Sequence, residues 1–163
     1  MVDIRKTCFV VIDTVRARLV RRRPEDGSYI TVETLSPTTD DRPGRLERDQ
    51  PPARVHESLG ATRHGIELQL NIRARAQAAF AKEMFTRLKG LLQDGTFETF
   101  VLVAPTRMMG VLLEGMDPAL EPALIGQLPK NLTKVPDHKL LDHLSTLSLK
   151  TIPRLTSHGA SIP

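Results

Sequence analysis

Apolar and polar positions along the chain follow two rhythms, one belonging to strands and one to helices. Thr7-Cys8-Phe9-Val10-Val11-Ile12 is a continuous run of β-branched and aromatic residues, the pattern of a strand buried on both faces. Asp13-Thr14 breaks it, and Ala17 and Leu19 then alternate with Arg16, Arg18 and Arg21, which predicts a second strand with one wet face. Pro24-Glu25-Asp26-Gly27 signals a turn, and Tyr29-Ile30-Thr31-Val32-Glu33-Thr34-Leu35 predicts a third strand. Three strands joined by short turns make an antiparallel meander.

The rhythm stops at Ser36. Residues 36–65 hold prolines at 37, 43, 51 and 52 among Asp40, Asp41, Arg42, Arg45, Glu47, Arg48 and Asp49, leaving little to bury, and read as a long polar loop. Beyond it Ile66, Leu70, Ala74, Ala78, Ala81, Phe85, Leu88 and Leu92 step by threes and fours, one apolar stripe along a helix. Ile66, Leu68, Leu70 and Ile72 also alternate with polar residues, a strand period, so the alanine-rich stretch places the helix only from about Leu70. Asp94-Gly95 ends it, and residues 97–104 predict a second buried strand. Pro105 opens a short helix through Glu114, and Asp117-Pro118 another through about Ile125. A last strand over residues 126–133 contains Pro129, which demotes it to an edge or a bulge. Pro136-Asp137 begins a final helix with Leu140, Leu141 and Leu144 apolar and Lys139 and His143 outward.

A meander followed by alternating helices and strands predicts an α/β domain. Right-handed crossovers set the 97–104 strand beside and parallel to the first, giving a five-stranded mixed sheet of order 3-2-1-4-5 with flanking helices. Ribonuclease H-like and some translation-factor domains share that order.

Composition narrows the class. At 163 residues, 40% hydrophobic and 26% charged, the chain fits one globular domain over residues 1–146, with a poorly ordered tail over 147–163. No apolar run approaches the about 20 residues of a membrane span. The first residues lack the apolar stretch of a secretory signal, and Cys8 is the only cysteine, so a reducing cytoplasm is the expected compartment. The formal net charge is +4, with one Tyr and no Trp. A contact with RNA would therefore run from arginine to backbone phosphates rather than through base stacking.

Candidate chemistry is sparse. Asp13, at the end of the first strand, stands where this fold class often carries a metal-binding acid, but two-metal hydrolysis needs several converging carboxylates. The matching end of the 97–104 strand reads Ala104-Pro105-Thr106-Arg107, and an arginine there repels a cation. Asp13 is thus expected as a turn residue or the partner of an arginine. The histidines at 56, 64, 138, 143 and 158 lack metal-ligand spacing, and no phosphate-loop or dinucleotide motif occurs. No catalytic residue, metal or cofactor is expected. For anion binding the candidates are Arg21-Arg22-Arg23, beside a turn, and Arg42 and Arg45, which Pro43-Gly44 would present on a constrained backbone.

Taken in order, Val10-Val11-Ile12-Asp13 with Ala17-Arg18-Leu19, Asp41-Arg42-Pro43-Gly44-Arg45, Ala79-Phe80-Ala81-Lys82-Glu83, Leu102-Val103-Ala104-Pro105 with Met109-Gly110-Val111-Leu112, and Leu128-Pro129-Lys130-Asn131-Leu132-Thr133 resemble the bacterial host attachment protein family, described as required for attachment to host cells. Its relatives are similar to the middle domain of the archaeal and eukaryotic peptide-release factors. The family usually has an acid where Asn131 stands, and the release factors' catalytic Gly-Gly-Gln is missing. The resemblance implies a non-catalytic domain that binds ribosomal or other structured RNA, with Arg42, Gly44, Arg45, Arg21, Arg22, Arg23, Asp13, Arg107 and Lys130 as the ligand-binding set. The alternatives are a protein-interaction factor that helps bacteria attach to hosts or surfaces, and a metal-dependent hydrolase.

Overall fold

The computed structural model describes residues 3–38, 59–145 and Leu147, with side chains in the first long helix described from His64 onward. A short 3-10 turn, Ile4–Lys6, leads into β1 (Thr7–Ile12), β2 (Ala17–Arg22) and β3 (Tyr29–Leu35). Helix α1 (Leu59–Gln93) crosses to β4 (Thr99–Val103), followed by α2 (Thr106–Gly115), a 3-10 segment (Pro118–Ala123), β5 (Leu124–Leu128) and α3 (Asp137–Leu144). The strands form one sheet of order β3-β2-β1-β4-β5. β1 pairs antiparallel with β2 and parallel with β4. The expected α/β arrangement and strand order are those observed.

β1 explains its own composition. All six residues are buried, because both faces of the sheet are covered. Cys8, Val10 and Ile12 join Phe80, Met84 and Leu88 of α1 and Met108 and Leu112 of α2 in one core. Phe9 and Val11 join Val101, Val103, Ile125, Leu132, Leu140 and Leu144 in the other. Phe9 also meets Tyr29 edge-on, with ring centroids 5.1 Å apart, a favoured aromatic geometry.

Four boundaries differ from the pattern-based expectation. Helix α1 begins at Leu59, so residues 59–65 are helical rather than loop, and the strand-like alternation at 66–72 does not form a strand. Its apolar stripe is buried only from Phe80 onward; Ile66, Leu68 and Leu70 are exposed. The alternation had no sheet to pack against, and helical propensity decided the backbone instead. The segment after Asp117 is a 3-10 helix ending at Ala123, with Pro122 inside it, because a proline there removes the hydrogen bond an α-helix would need. β5 consequently starts two residues early and ends at Leu128, leaving Pro129 just outside it. β5 is an edge strand, and its pairing with β4 shifts register so that Ile125 is skipped between Leu124 and Gly126, a bulge at a glycine. Finally, Leu141 is exposed and His143 half-buried.

Gly95 closes α1 with φ +83°, a left-handed conformation that side chains resist. Gly27 holds φ +73° in the turn between β2 and β3, where an added Cβ would lie 2.9 Å from the Arg22 guanidinium.

Candidate functional site

Because β1 is parallel to β4 and β5 and antiparallel to β2, the candidate residues divide between the two ends of the sheet. The end where β1, β4 and β5 begin carries Arg21 and Arg22 at the close of β2, then Arg23. The opposite end, where those strands finish, carries Asp13, Arg107 and Lys130. A six-residue strand separates the ends by about 20 Å. Arg42, Gly44 and Arg45 lie outside the described residues.

At the first end, cations and acids are matched. Arg5 pairs with Asp3 at 3.0 Å and Lys6 with Glu98 at 3.6 Å. Arg22 Nε donates to Gly27 O at 3.0 Å, so this arginine braces its own turn. Arg23 lies near enough to Asp26 to help hold that carboxyl below its usual pKa, after the larger effect of hydrogen bonds from Ser28. Open depressions between the 3-10 turn and the β2–β3 turn are lined by Arg5, Arg21 and Arg22, but also by Asp3, Glu25 and Asp26. The expected arginine cluster exists, and Asp3, Glu25 and Asp26 line the same depressions.

The other end is built differently. Asp13 closes the β1–β2 turn: its Oδ1 accepts from the N–H groups of Val15 and Arg16, each at 2.8 Å. Its Oδ2 accepts from the Thr133 hydroxyl at 2.6 Å. Asp13 is therefore the turn residue expected from its position, and its side-chain partner is a threonine rather than an arginine. Thr133 is itself buried, and its N–H donates to Asn131 Oδ1 at 3.2 Å. That bond needs an oxygen at position 131 and no charge, so Asn131 performs it where a carboxylate would add a second negative charge close to Asp13.

A second residue pins the same loop from below. Arg18, expected on the wet face of β2, has a side chain only 11% exposed. Its Nη2 donates to Leu132 O and Val135 O, both at 2.7 Å, and its Nη1 to Asp137 Oδ1 at 3.0 Å. Asp137 in turn accepts from Thr31 N–H at 2.9 Å and Thr31 Oγ1 at 2.6 Å. The face of β2 that alternation marks as wet is thus roofed by the 129–136 loop and α3. Burial lowers the pKa of the Arg18 guanidinium, Asp137 opposes this, and neighbouring Arg16 adds to it. Burial pushes the Asp137 carboxyl up, but the Thr31 hydrogen bonds and the charge of Arg18 more than reverse it, leaving it below its usual value. Arg18 Nε is buried without a partner among the described residues.

This scaffold displays cations. Arg16, Arg107, Lys130 and Lys134 are all exposed. Lys130 follows directly on β5, its N–H held by Leu128 O at 2.9 Å, and Arg107 stands in the first turn of α2. Among the described residues, no group of three or more His, Cys, Asp or Glu side chains is placed to hold a metal ion. Cys8 is fully buried and its thiol pKa is pushed up to about 12, chiefly by burial. Of the residues expected from sequence, Asp13, Arg107 and Lys130 fall at this end; Lys134 and the pinning role of Arg18 were not expected. The bonds of Arg18, and the Thr133–Asp13 bond that places the loop carrying Lys134, join residues more than a hundred positions apart, which no local pattern carries.

Fold and edges together define an α/β domain with a mixed five-stranded sheet that carries cations at both ends. Within that class the chain belongs to the family described as "Protein required for attachment to host cells", which matches residues 8–144. No curated protein matches the chain. Of the stretches that carry the resemblance, residues 41–45 lie outside the described residues; residues 10–13, 17–19 and 128–133 meet around Asp13, Arg18 and Thr133, while Phe80, Ala81, Met109 and Leu112 are core. No helix among the described residues is long and apolar enough to cross a membrane.

Proposed function

We propose that this member of the host attachment family is a non-catalytic cytoplasmic binding module, related to the release-factor middle domain, whose partner is ribosomal or other structured RNA. The observation that carries this reading is the state of the strand ends. A two-metal hydrolase needs converging carboxylates there, whereas Asp13 is committed to its turn and to Thr133, and the end of β4 leads to Arg107. Such a surface favours an anion over a divalent cation. With few aromatic residues in the chain, the contacts fall on phosphates. Attachment to a host would then depend on the protein indirectly, through what it does to RNA in the cell.

The test is co-sedimentation of the purified chain with ribosomes and with bulk RNA at low and high salt, with ribonuclease-treated controls. Binding that falls steeply with salt and disappears with ribonuclease is expected. No binding at low salt contradicts the reading, as does magnesium-dependent cleavage of RNA or an RNA–DNA hybrid. The second reading, a protein partner that supports attachment, draws on the family's description and on the exposed Ile66, Leu68 and Leu70. A ribonuclease-resistant complex is its signature.

A further inference from the structure

We infer that Arg16, Arg107, Lys130 and Lys134 form one phosphate-binding edge, a site for the backbone of an RNA strand along the carboxyl ends of β1, β4 and β5. The inference rests on the RNA reading above and locates it on the molecule.

Topology brings the four together. Arg16 ends the turn that leaves β1, and Arg107 lies four residues beyond the end of β4. Lys130 and Lys134 lie in the loop that leaves β5, whose bonds to Asp13 and Arg18 carry Lys134 back toward the β1–β2 turn. Since these strands are neighbours and parallel in the order β1-β4-β5, their ends line one side of the sheet, spaced by about 5 Å per strand. Successive phosphates in a nucleic-acid strand are separated by a similar order of distance, so long side chains borne on neighbouring strand ends suit a backbone that runs along this side of the sheet.

Electrostatics separates this edge from the opposite one. All four side chains are exposed, and among the described residues none has a carboxylate at ion-pair distance. Two acids lie close to this edge: Asp137 is paired with Arg18, whereas Asp13 is held by two amides and the Thr133 hydroxyl and keeps its charge, so the four exposed cations face one uncompensated carboxylate. At the far end Arg5 and Lys6 are paired, and Arg21, Arg22 and Arg23 share their surface with Glu25 and Asp26. A polyanion gains less there, because each phosphate would have to displace or face a carboxylate.

The edge is also held in place before any ligand arrives. Residues 130–135 are fixed by bonds to Leu128 O, Asn131 Oδ1, Asp13 Oδ2 and the Arg18 guanidinium. Little backbone ordering is left to oppose binding.

The experiment compares two multiple variants of the full chain against wild type. One is R16A/R107A/K130A/K134A, the other R5A/R21A/R22A/R23A, and both are titrated with a short RNA hairpin over a range of salt concentrations. Circular dichroism and thermal melting verify that each is folded. Wild type and the second variant should share a steep dependence of affinity on salt. The first variant should bind about tenfold more weakly or worse, with the log–log slope reduced by about 3, the loss of four phosphate contacts. Unchanged slope and affinity in the first variant, with wild-type binding intact, overturn the edge assignment while leaving the RNA reading in place. Failure of wild type to bind RNA at low salt overturns that reading and the assignment with it. Binding of polyglutamate as tight as of RNA also counts against the edge, since it marks an acidic protein as the ligand class. If the first variant melts early, R16Q/K130Q/K134Q, which keeps long side chains, carries the same comparison with a slope change of about 2.

Discussion

Single side chains decide what the carboxyl end of this sheet can do. Asp13 could have been half of a metal cradle; two amides and a buried threonine take its lone pairs instead. Replacing Thr133 with Val removes that hydroxyl from a buried position, and a loss of about 1–2 kcal/mol by urea denaturation is expected. Arg18 carries more. Arg18→Met leaves two carbonyls without their donor and removes the cation beside Asp137, which keeps its Thr31 donors, and a loss of about 1–3 kcal/mol is expected for a half-buried, hydrogen-bonded pair. Acid should expose the same contact. Because Asp137 has a folded-state pKa below its usual 3.8, its contribution is present above that value and is lost as pH falls through the folded pKa. Wild type should therefore lose stability on acidification below about pH 4, and Asp137→Asn should remove part of that slope in pH-dependent denaturation. Cys8 offers an opposite kind of check. With its thiol pKa pushed up to about 12 inside the core, a thiol-reactive disulfide reagent should modify it only after denaturant is added.

At the scale of elements, α1 shows how far a pattern can be read. The stripe through Phe85, Leu88 and Leu92 is where periodicity places it, and Phe80, Met84 and Leu88 are buried against the sheet. Upstream the same stripe runs on through Ile66 and Leu70 with nothing from the described residues over it. Periodicity reports which face of a helix is apolar; it does not report how much of that face the sheet covers. Buried residues begin at Phe80, so the preceding 21 residues extend for about 30 Å without a buried side chain among those described. Two substitutions separate the halves. Leu88→Ala should cost about 2–5 kcal/mol, whereas Leu70→Gln should stay within about 0.5 kcal/mol, both by chemical denaturation. The strands were legible because β1 and β4 are buried on both faces and read as unbroken apolar runs. The last strand was less so. Gly126 at a bulge and Pro122 in the preceding 3-10 turn are local breaks whose effect depends on where β4 happens to end.

The whole molecule has two ends of different electrical character, and this is what sequence alone could not supply. Arg21-Arg22-Arg23 is the most conspicuous cationic run in the chain, yet the fold surrounds it with Asp3, Glu25 and Asp26. Arg16, Arg107, Lys130 and Lys134 are scattered over more than a hundred positions, and parallel strand ends gather them. Glu25 and Asp26 follow that run closely in the sequence, whereas the gathering of Arg16, Arg107, Lys130 and Lys134 at one end is visible only in three dimensions. The same folding step brings residues 10–13, 17–19 and 128–133 together, and these segments build the platform on which Arg16, Lys130 and Lys134 stand.

The most direct measurement of the central claim is lysine footprinting of the full chain, with and without the RNA hairpin, read by mass spectrometry after acetylation. Protection of Lys130 and Lys134 by RNA, with Lys6 and Lys89 labelled as before, is the predicted result. Protection of Lys6 with Lys130 and Lys134 fully reactive would put the nucleic acid at the opposite end of the sheet and contradict the account.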